Sequence, residues 1–153
     1  MHSNDIPSAM LLAERQIGKD RAAAIKTYEQ VLAKTPDNFV VLNNLAFLAL
    51  EDKKLTRAEE LAKKAVSLQR ENADAADTLA QIYIAKGDKA AALKLYEEVA
   101  ARPIANDDVY LNYVSVLLEL DKKALASRKL ASREFKSEAA KQRAESLKQQ
   151  YGL

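Results

Sequence analysis

The chain has 153 residues, enough for one domain of ordinary size, and its alanine- and leucine-rich composition, with 3 Gly, 3 Pro and 6% aromatic residues, is that of an all-helical protein. It has no Cys, which excludes disulfides and thiolate metal sites. The net charge of +2 is unevenly spread: residues 121–153 hold nine Lys/Arg against four Asp/Glu, so the end is basic and the preceding body mildly acidic.

Residues 1–4 read as a disordered start that carries the only histidine, His2, a bystander at a chain end. A first helix is expected from about Ile6 to Gln16, with Pro7 in its first turn. Ile17 to Asp20 make a turn, and a second helix runs from about Arg21 to Lys34 before Thr35-Pro36-Asp37. Asp37 or Asn38 can cap the next helix. In FVVLNNLAFLAL, Leu42, Leu45, Ala46 and Ala49 form one stripe. Thr56-Arg57-Ala58-Glu59 has the form of a capping box and is expected to start a helix ending near Arg70.

Ala76, Leu79, Ala80 and Tyr83 recur at i, i+3, i+4 and i+7, the spacing of one helix face. Gly87-Asp88 interrupts the pattern, Gly tolerating positive φ and Asp capping the next helix. Ala92, Leu95, Tyr96 and Val99 make a second stripe, and Pro103 ends it. Asn106-Asp107-Asp108 can cap a helix carrying Tyr110, Tyr113, Val114 and Leu117. A turn at Asp121-Lys122-Lys123 leads to a helix over about Ala124 to Phe135. A last amphipathic helix, with Ala140, Ala144, Leu147 and Tyr151 on one side, closes the chain.

The pattern repeats with a period of about 34 residues. Shifted by that period, Leu79 falls on Leu45 and Leu11, Ala80 on Ala46 and Leu12, and Ala92 on Ala58, Ala24 and Ala126. The order of Leu, small residue, aromatic, Gly-Asp, Ala, aromatic and Pro in residues 73–106 resembles the tetratricopeptide repeat. The frames are 5–38, 39–72, 73–106 and 107–140, the last degenerate because Arg133 stands where an apolar residue is expected. The fold class implied is all-α, an α-solenoid of antiparallel helix pairs, with 137–153 as a C-terminal capping helix. LNNLA followed by ADTLA also resembles the closing repeats of longer bacterial proteins of this family, some of them in envelope and exopolysaccharide export systems.

No chemistry stands out. No nucleophile has a partner base, and Gly18, Gly87 and Gly152 are too scattered to cradle phosphate. No enzyme activity, cofactor or metal is expected. Asp74, Asp77 and Asp108 read as helix-start acids on a solvated surface rather than as cation ligands. The basic end is poor in aromatics, which argues against nucleic acid.

The resemblance implies a protein-interaction scaffold whose first helices line a concave groove. The family's groove positions fall on Val40, Asn43, Phe47, Leu50 and Glu51, on Asp74, Asp77, Gln81, Ile84 and Ala85, and on Asp108, Leu111, Ser115, Leu118 and Glu119. Asn44 and Asn112 match the asparagine the family often uses to hold a ligand backbone. The cationic clamp of one subgroup is not met, its positions falling on Asn43, Phe47, Thr78, Asp108 and Asn112. The expected partner is therefore a neutral or basic extended peptide or protein segment. The groove candidates are Asn43, Asn44, Phe47, Leu50, Asp74, Asp77, Gln81, Asp108, Asn112 and Ser115. The alternatives are a self-associating homo-oligomeric module and a regulatory fragment of a larger bacterial envelope or export-associated protein. The compartment is open: cytoplasmic, or periplasmic if the chain derives from an exported protein. No run is long and apolar enough to span a bilayer.

Overall fold

The structure is a computed structural model, described over residues 5–153; the expected disordered start and His2 lie outside that range. Nine α-helices and no strand occupy the described residues: α1 (Ile6–Ile17), α2 (Arg21–Lys34), α3 (Phe39–Glu51), α4 (Leu55–Leu68), α5 (Ala73–Ala85), α6 (Lys89–Val99), α7 (Asp107–Glu119), α8 (Lys123–Ala131) and α9 (Glu138–Tyr151). The fold class is all-α, a helical repeat. The helices fall into two compact units, α1–α4 and α5–α9.

Local chemistry sets the boundaries. Asn38, Asn72 and Asn106 each precede a first helix, and each side chain accepts from backbone N–H groups of the first turn. Asp20 and Asp88 do the same for α2 and α6. Between the helices of a pair, Lys53, Gly87 and Asp121 stand one period apart and all have positive φ, at 58°, 86° and 58°. The turn closes each time by the same bond, from Lys54 N to Ala49 O, Asp88 N to Tyr83 O and Lys122 N to Leu117 O. Only Gly87 adopts this conformation without steric cost.

In the first unit α1 packs on α2, α2 on α3, and α3 on α4. Ala24 and Ala58 are fully buried at the helix crossings, as are Tyr28 and Ala62. In the second unit α5 packs on α6, and α7 contacts α5, α6, α8 and α9. Ala92 and Ala126 repeat the crossing with 0% exposure, and Leu111, Val114 and Leu117 fill the centre. An Ala at the crossing lets two helix backbones approach where a larger residue would hold them apart. Helix α9 presents Ala140 and Ala144, both buried, to this core, with Leu147 and Tyr151 packed beside them.

The structure departs from the sequence reading at four places. The inner residue of α1 is Ala13, at 0% exposure, whereas Leu11 and Leu12 are 49% and 42% exposed. The cause is the turn after α1. It lacks the positive-φ residue of the other pairs, and Asp20 N bonds to Gln16 O instead of one residue further back. That rotates α1 by one position, so Ala13 rather than Leu12 takes the place of Ala46 and Ala80. Second, α4 starts at Leu55 after Lys54, which provides no side-chain cap; the turn geometry fixes the start and Thr56 lies within the first turn. Third, α6 stops at Val99, whereas α4 ends at Leu68, equivalent to residue 102. Pro103 disfavours helical backbone at Arg102 as well as lacking an N–H, so the final turn is missing.

Fourth, α8 ends at Ala131 and not at Phe135. Arg133 is not a decayed apolar position. Its Nε and Nη2 donate to Asp107 Oδ1 at 3.0 and 2.7 Å, its Nη1 to Ile104 O at 2.7 Å and its Nη2 also to Ala105 O at 3.1 Å. The guanidinium lies 4.3 Å from the centre of the Tyr110 ring. Arg133 thus satisfies carbonyls of the loop after α6. Asp107 is held below the usual carboxylate range by Arg133 and then by the Lys136 backbone N–H.

Candidate functional site

The candidate residues occupy one face of α3 in the first unit and faces of α5 and α7 in the second. On α3, Asn44 Nδ2 donates to the Tyr28 hydroxyl at 3.1 Å. Asn43 Oδ1 is buried without a donor among the described residues. Phe47 is 49% exposed, as Val40 is at 42%, and Leu50 is half-buried. This face is therefore apolar with amides set into it.

In the second unit the sequence spacing brings several candidates together. Asp74, Asp77 and Gln81 follow one another along α5, and Asp108, Asn112 and Ser115 along α7. The two rows meet through Tyr96 of α6, whose ring is fully buried and stacks on Tyr113 at 5.5 Å. The Tyr96 hydroxyl donates to Asp77 Oδ1 at 2.5 Å and accepts from Gln81 Nε2 at 3.0 Å. Asn112 Nδ2 donates to both Asp77 oxygens, at 2.9 and 3.2 Å. Burial pushes the Asp77 carboxyl up, and the Tyr96, Asn112 and Gln81 groups act against that shift. Burial and then the neighbouring Asp77 charge push the Tyr96 phenol far above its ordinary value. The phenol, which holds its proton, is thus the donor, and the three hydrogen bonds Asp77 accepts favour its charged form.

Asp74 and Asp108 differ from Asp77 in being exposed. Asp74 Oδ1 accepts from Asn106 Nδ2 at 3.2 Å, and Asp108 stands 3.8 Å from Arg143 of α9. Ser115 is apart from the network, its hydroxyl donating to Leu111 O within its own helix at 2.8 Å.

Two participants are absent from the candidate set. Tyr96 reads in sequence as a helix-packing aromatic, yet its hydroxyl joins the two rows. Its counterpart Tyr28, two periods earlier, also ends on a candidate amide, and that recurrence is a signal the sequence carries. Arg143 donates to Asn112 Oδ1 at 2.7 Å. It lies three residues after Ala140 and four before Leu147, at the edge of the apolar stripe of α9, where a long side chain reaches past the packed face. A cation thus enters a face whose helices α5 and α7 supply only acids and amides.

Among the described residues no group of three His, Cys, Asp or Glu is placed to hold a metal ion, and no helix is long and apolar enough to cross a membrane.

Comparisons with known proteins agree with this architecture. A crystal structure of the MamA protein is 23% identical, with 82% of this chain and 69% of that chain covered and a TM-score of 0.68. A tetratricopeptide repeat protein from Parabacteroides merdae is 18% identical over 96% of this chain and 60% of that one, with a TM-score of 0.76. A structure of pilF from Pseudomonas aeruginosa is 18% identical over 99% and 63%, with a TM-score of 0.71. The chain thus spans less than two thirds of the last two, and identities this low speak for the fold alone. No match was found among curated proteins. Two models described as tetratricopeptide repeat match residues 18–82 and 72–102, together more than half of the chain. The periodic recurrence of caps, positive-φ turns and crossing alanines is thereby accounted for, and the chain belongs to the tetratricopeptide repeat family.

Proposed function

We propose that this chain is a non-catalytic protein-interaction scaffold that takes a neutral or basic polypeptide segment on the α5–α7 face. Tetratricopeptide repeats are in general interaction scaffolds rather than catalysts. The four helix pairs, framed as 5–38, 39–72, 73–106 and 107–140, serve as its repeat units, with 137–153 covering the last one. The observation that carries the reading is the exposure of Asp74 and Asp108 beside a rigid hydrogen-bonded floor of Asp77, Tyr96 and Asn112. The floor fixes the face and the two exposed acids select charge. Arg143 lies on its rim and favours segments that place an acidic or carbonyl group beside their cation. On α3, Phe47 and Leu50 offer apolar contact, and Asn43 and Asn44 offer amides to a peptide backbone.

The test is partner capture with Asp74→Lys/Asp108→Lys beside the wild type. Reversing two exposed charges leaves the floor intact, so binding of a basic segment should fall while the thermal midpoint drops only by what two first-turn acids contribute, about 0.3–1 kcal/mol each. Undiminished capture would refute the acidic face. Asp77→Lys is a poor probe, because it would bury a cation against the Tyr96 hydroxyl.

A second reading is self-association through α1, where Leu11, Leu12 and Ile17 are 49%, 42% and 37% exposed on one short helix. Light scattering that returns a concentration-independent monomer would remove it.

A further inference from the structure

The missing last turn of α6 leaves space between the loop 100–106 and the C-terminal end of α8. That space is a surface cavity of about 410 Å³, within the size range of ligand clefts. Pro103, Ile104 and Tyr110, with two alanines, make its apolar wall; Arg102, Lys129, Ser132 and Arg133 line the rest. No Asp or Glu lines it among the described residues.

The three cations differ in what they have left to give. Arg133 is fixed by its bonds to Asp107 and to two loop carbonyls, which use four of its five N–H groups and much of its charge. Arg102 pairs with Glu71 at 2.5 Å, the two side chains being 67% and 64% exposed. So exposed a pair is screened by water, holds weakly and exchanges readily. Among the described residues Lys129 has no carboxylate at ion-pairing distance; its Nζ stands 4.7 Å from the centre of the Tyr113 ring. A half-buried side chain whose ammonium rests over a ring face gains from a full counter-charge.

We propose that this cavity is a second binding site, for an anionic group, carboxylate or phosphate, carried by a polypeptide next to an apolar side chain. Lys129 and Arg102 supply the charge, the remaining Arg133 N–H a fixed donor, and Pro103 with Ile104 the surface for the apolar neighbour. The site shares no residue with the α5–α7 face and selects the opposite charge, so it stands whether or not that face binds a basic segment.

The experiment titrates the full chain against a fluorescent peptide of alternating glutamate and leucine, read by anisotropy. Parallel arms use the same peptide with phosphoserine for glutamate, and with glutamine for glutamate. The glutamate or the phosphoserine peptide should bind at least about tenfold more tightly than the glutamine one, whichever is tighter naming the anion. Arg102→Glu/Lys129→Glu, both changes at solvent-accessible positions, should remove that preference with helical content unchanged. Equal binding of all three peptides, no binding of any, or a preference that survives the Arg102/Lys129 reversal overturns the proposal. Amide resonances of the loop 100–106 and of Ser132 should shift on adding inorganic phosphate, and shifts confined to α5 would equally refute the assignment.

Discussion

Replacing Tyr96 by Phe removes one oxygen atom and no packing. In the wild type that hydroxyl donates to a carboxylate raised by burial, and Gln81 donates to the hydroxyl in turn. A hydrogen bond to a charged group contributes about 1.5–3 kcal/mol, and the Asp77 oxygens keep the Asn112 and Gln81 amides when it goes. Tyr96→Phe should therefore destabilise the protein by about 2 kcal/mol at neutral pH. The loss should depend on pH in a defined direction. The phenol favours the charged form of Asp77, so without it the folded-state pKa rises further above the unfolded one. A raised carboxylate pKa favours folding at low pH and disfavours it as pH rises through the folded value. The gap between variant and wild type should thus be full above the folded-state pKa of Asp77 and shrink as pH falls through it. Urea unfolding followed by circular dichroism, run as a pH series from alkaline to acid, measures both. A gap of constant size across the series, or none anywhere in it, would show that the hydroxyl does not serve an ionised Asp77. Asp77→Asn offers a companion test: it removes the buried charge but keeps an acceptor for the phenol, and should cost less than Tyr96→Phe near neutrality.

Three further predictions concern the scaffold. At Gly87 an added Cβ meets nothing within 4 Å, so Gly87→Ala should lose only the conformational preference, about 1–2 kcal/mol, and Lys53→Gly in the equivalent turn should gain about 1 kcal/mol; thermal melts should move by roughly 2–4 °C per kcal/mol in opposite directions. Arg133→Met should destabilise by about 1.5–3 kcal/mol, with Arg133→Lys a poor substitute because one ammonium cannot reach Asp107 and two carbonyls together. Asp107, lowered in the folded state, contributes stability above its unfolded pKa that is lost as pH falls through the folded one, and the Arg133→Met variant should lose that part of the acid transition. Ala92→Leu should cost about 1–3 kcal/mol by forcing α5 and α6 apart, whereas Leu12→Ser at an exposed position should stay within about 0.5 kcal/mol of wild type, both read from urea midpoints.

Local and periodic features were legible in the sequence. Asn72, Asp88 and Asn106 are caps because each is a short polar side chain directly before an apolar helical run. Ala24, Ala58, Ala92 and Ala126 are crossings because four small residues recur at one period, and all four are fully buried. The candidate face followed the same logic, since residues at helical spacing must share a side. The α1 register did not, because it depends on one turn residue whose φ the sequence does not announce: Lys19 stands where Lys53 adopts positive φ and does not follow it.

What the chain alone determined is thus the repeat, its period, its caps and the small residues on which its helices cross, all properties of neighbours within a turn or of positions one period apart. Tertiary structure decided the roles of individual polar groups. Asp77 reads as one of three equivalent acids, yet it is the floor of a network because Asn112, 35 residues away, and Tyr96 converge on it. Arg133 reads as decay, yet it holds a loop 28 and 29 residues upstream. Arg143 belongs to no pattern in the sequence, yet it reaches Asn112. A polar side chain takes its meaning from the partner that desolvates with it, and only packing brings that partner near.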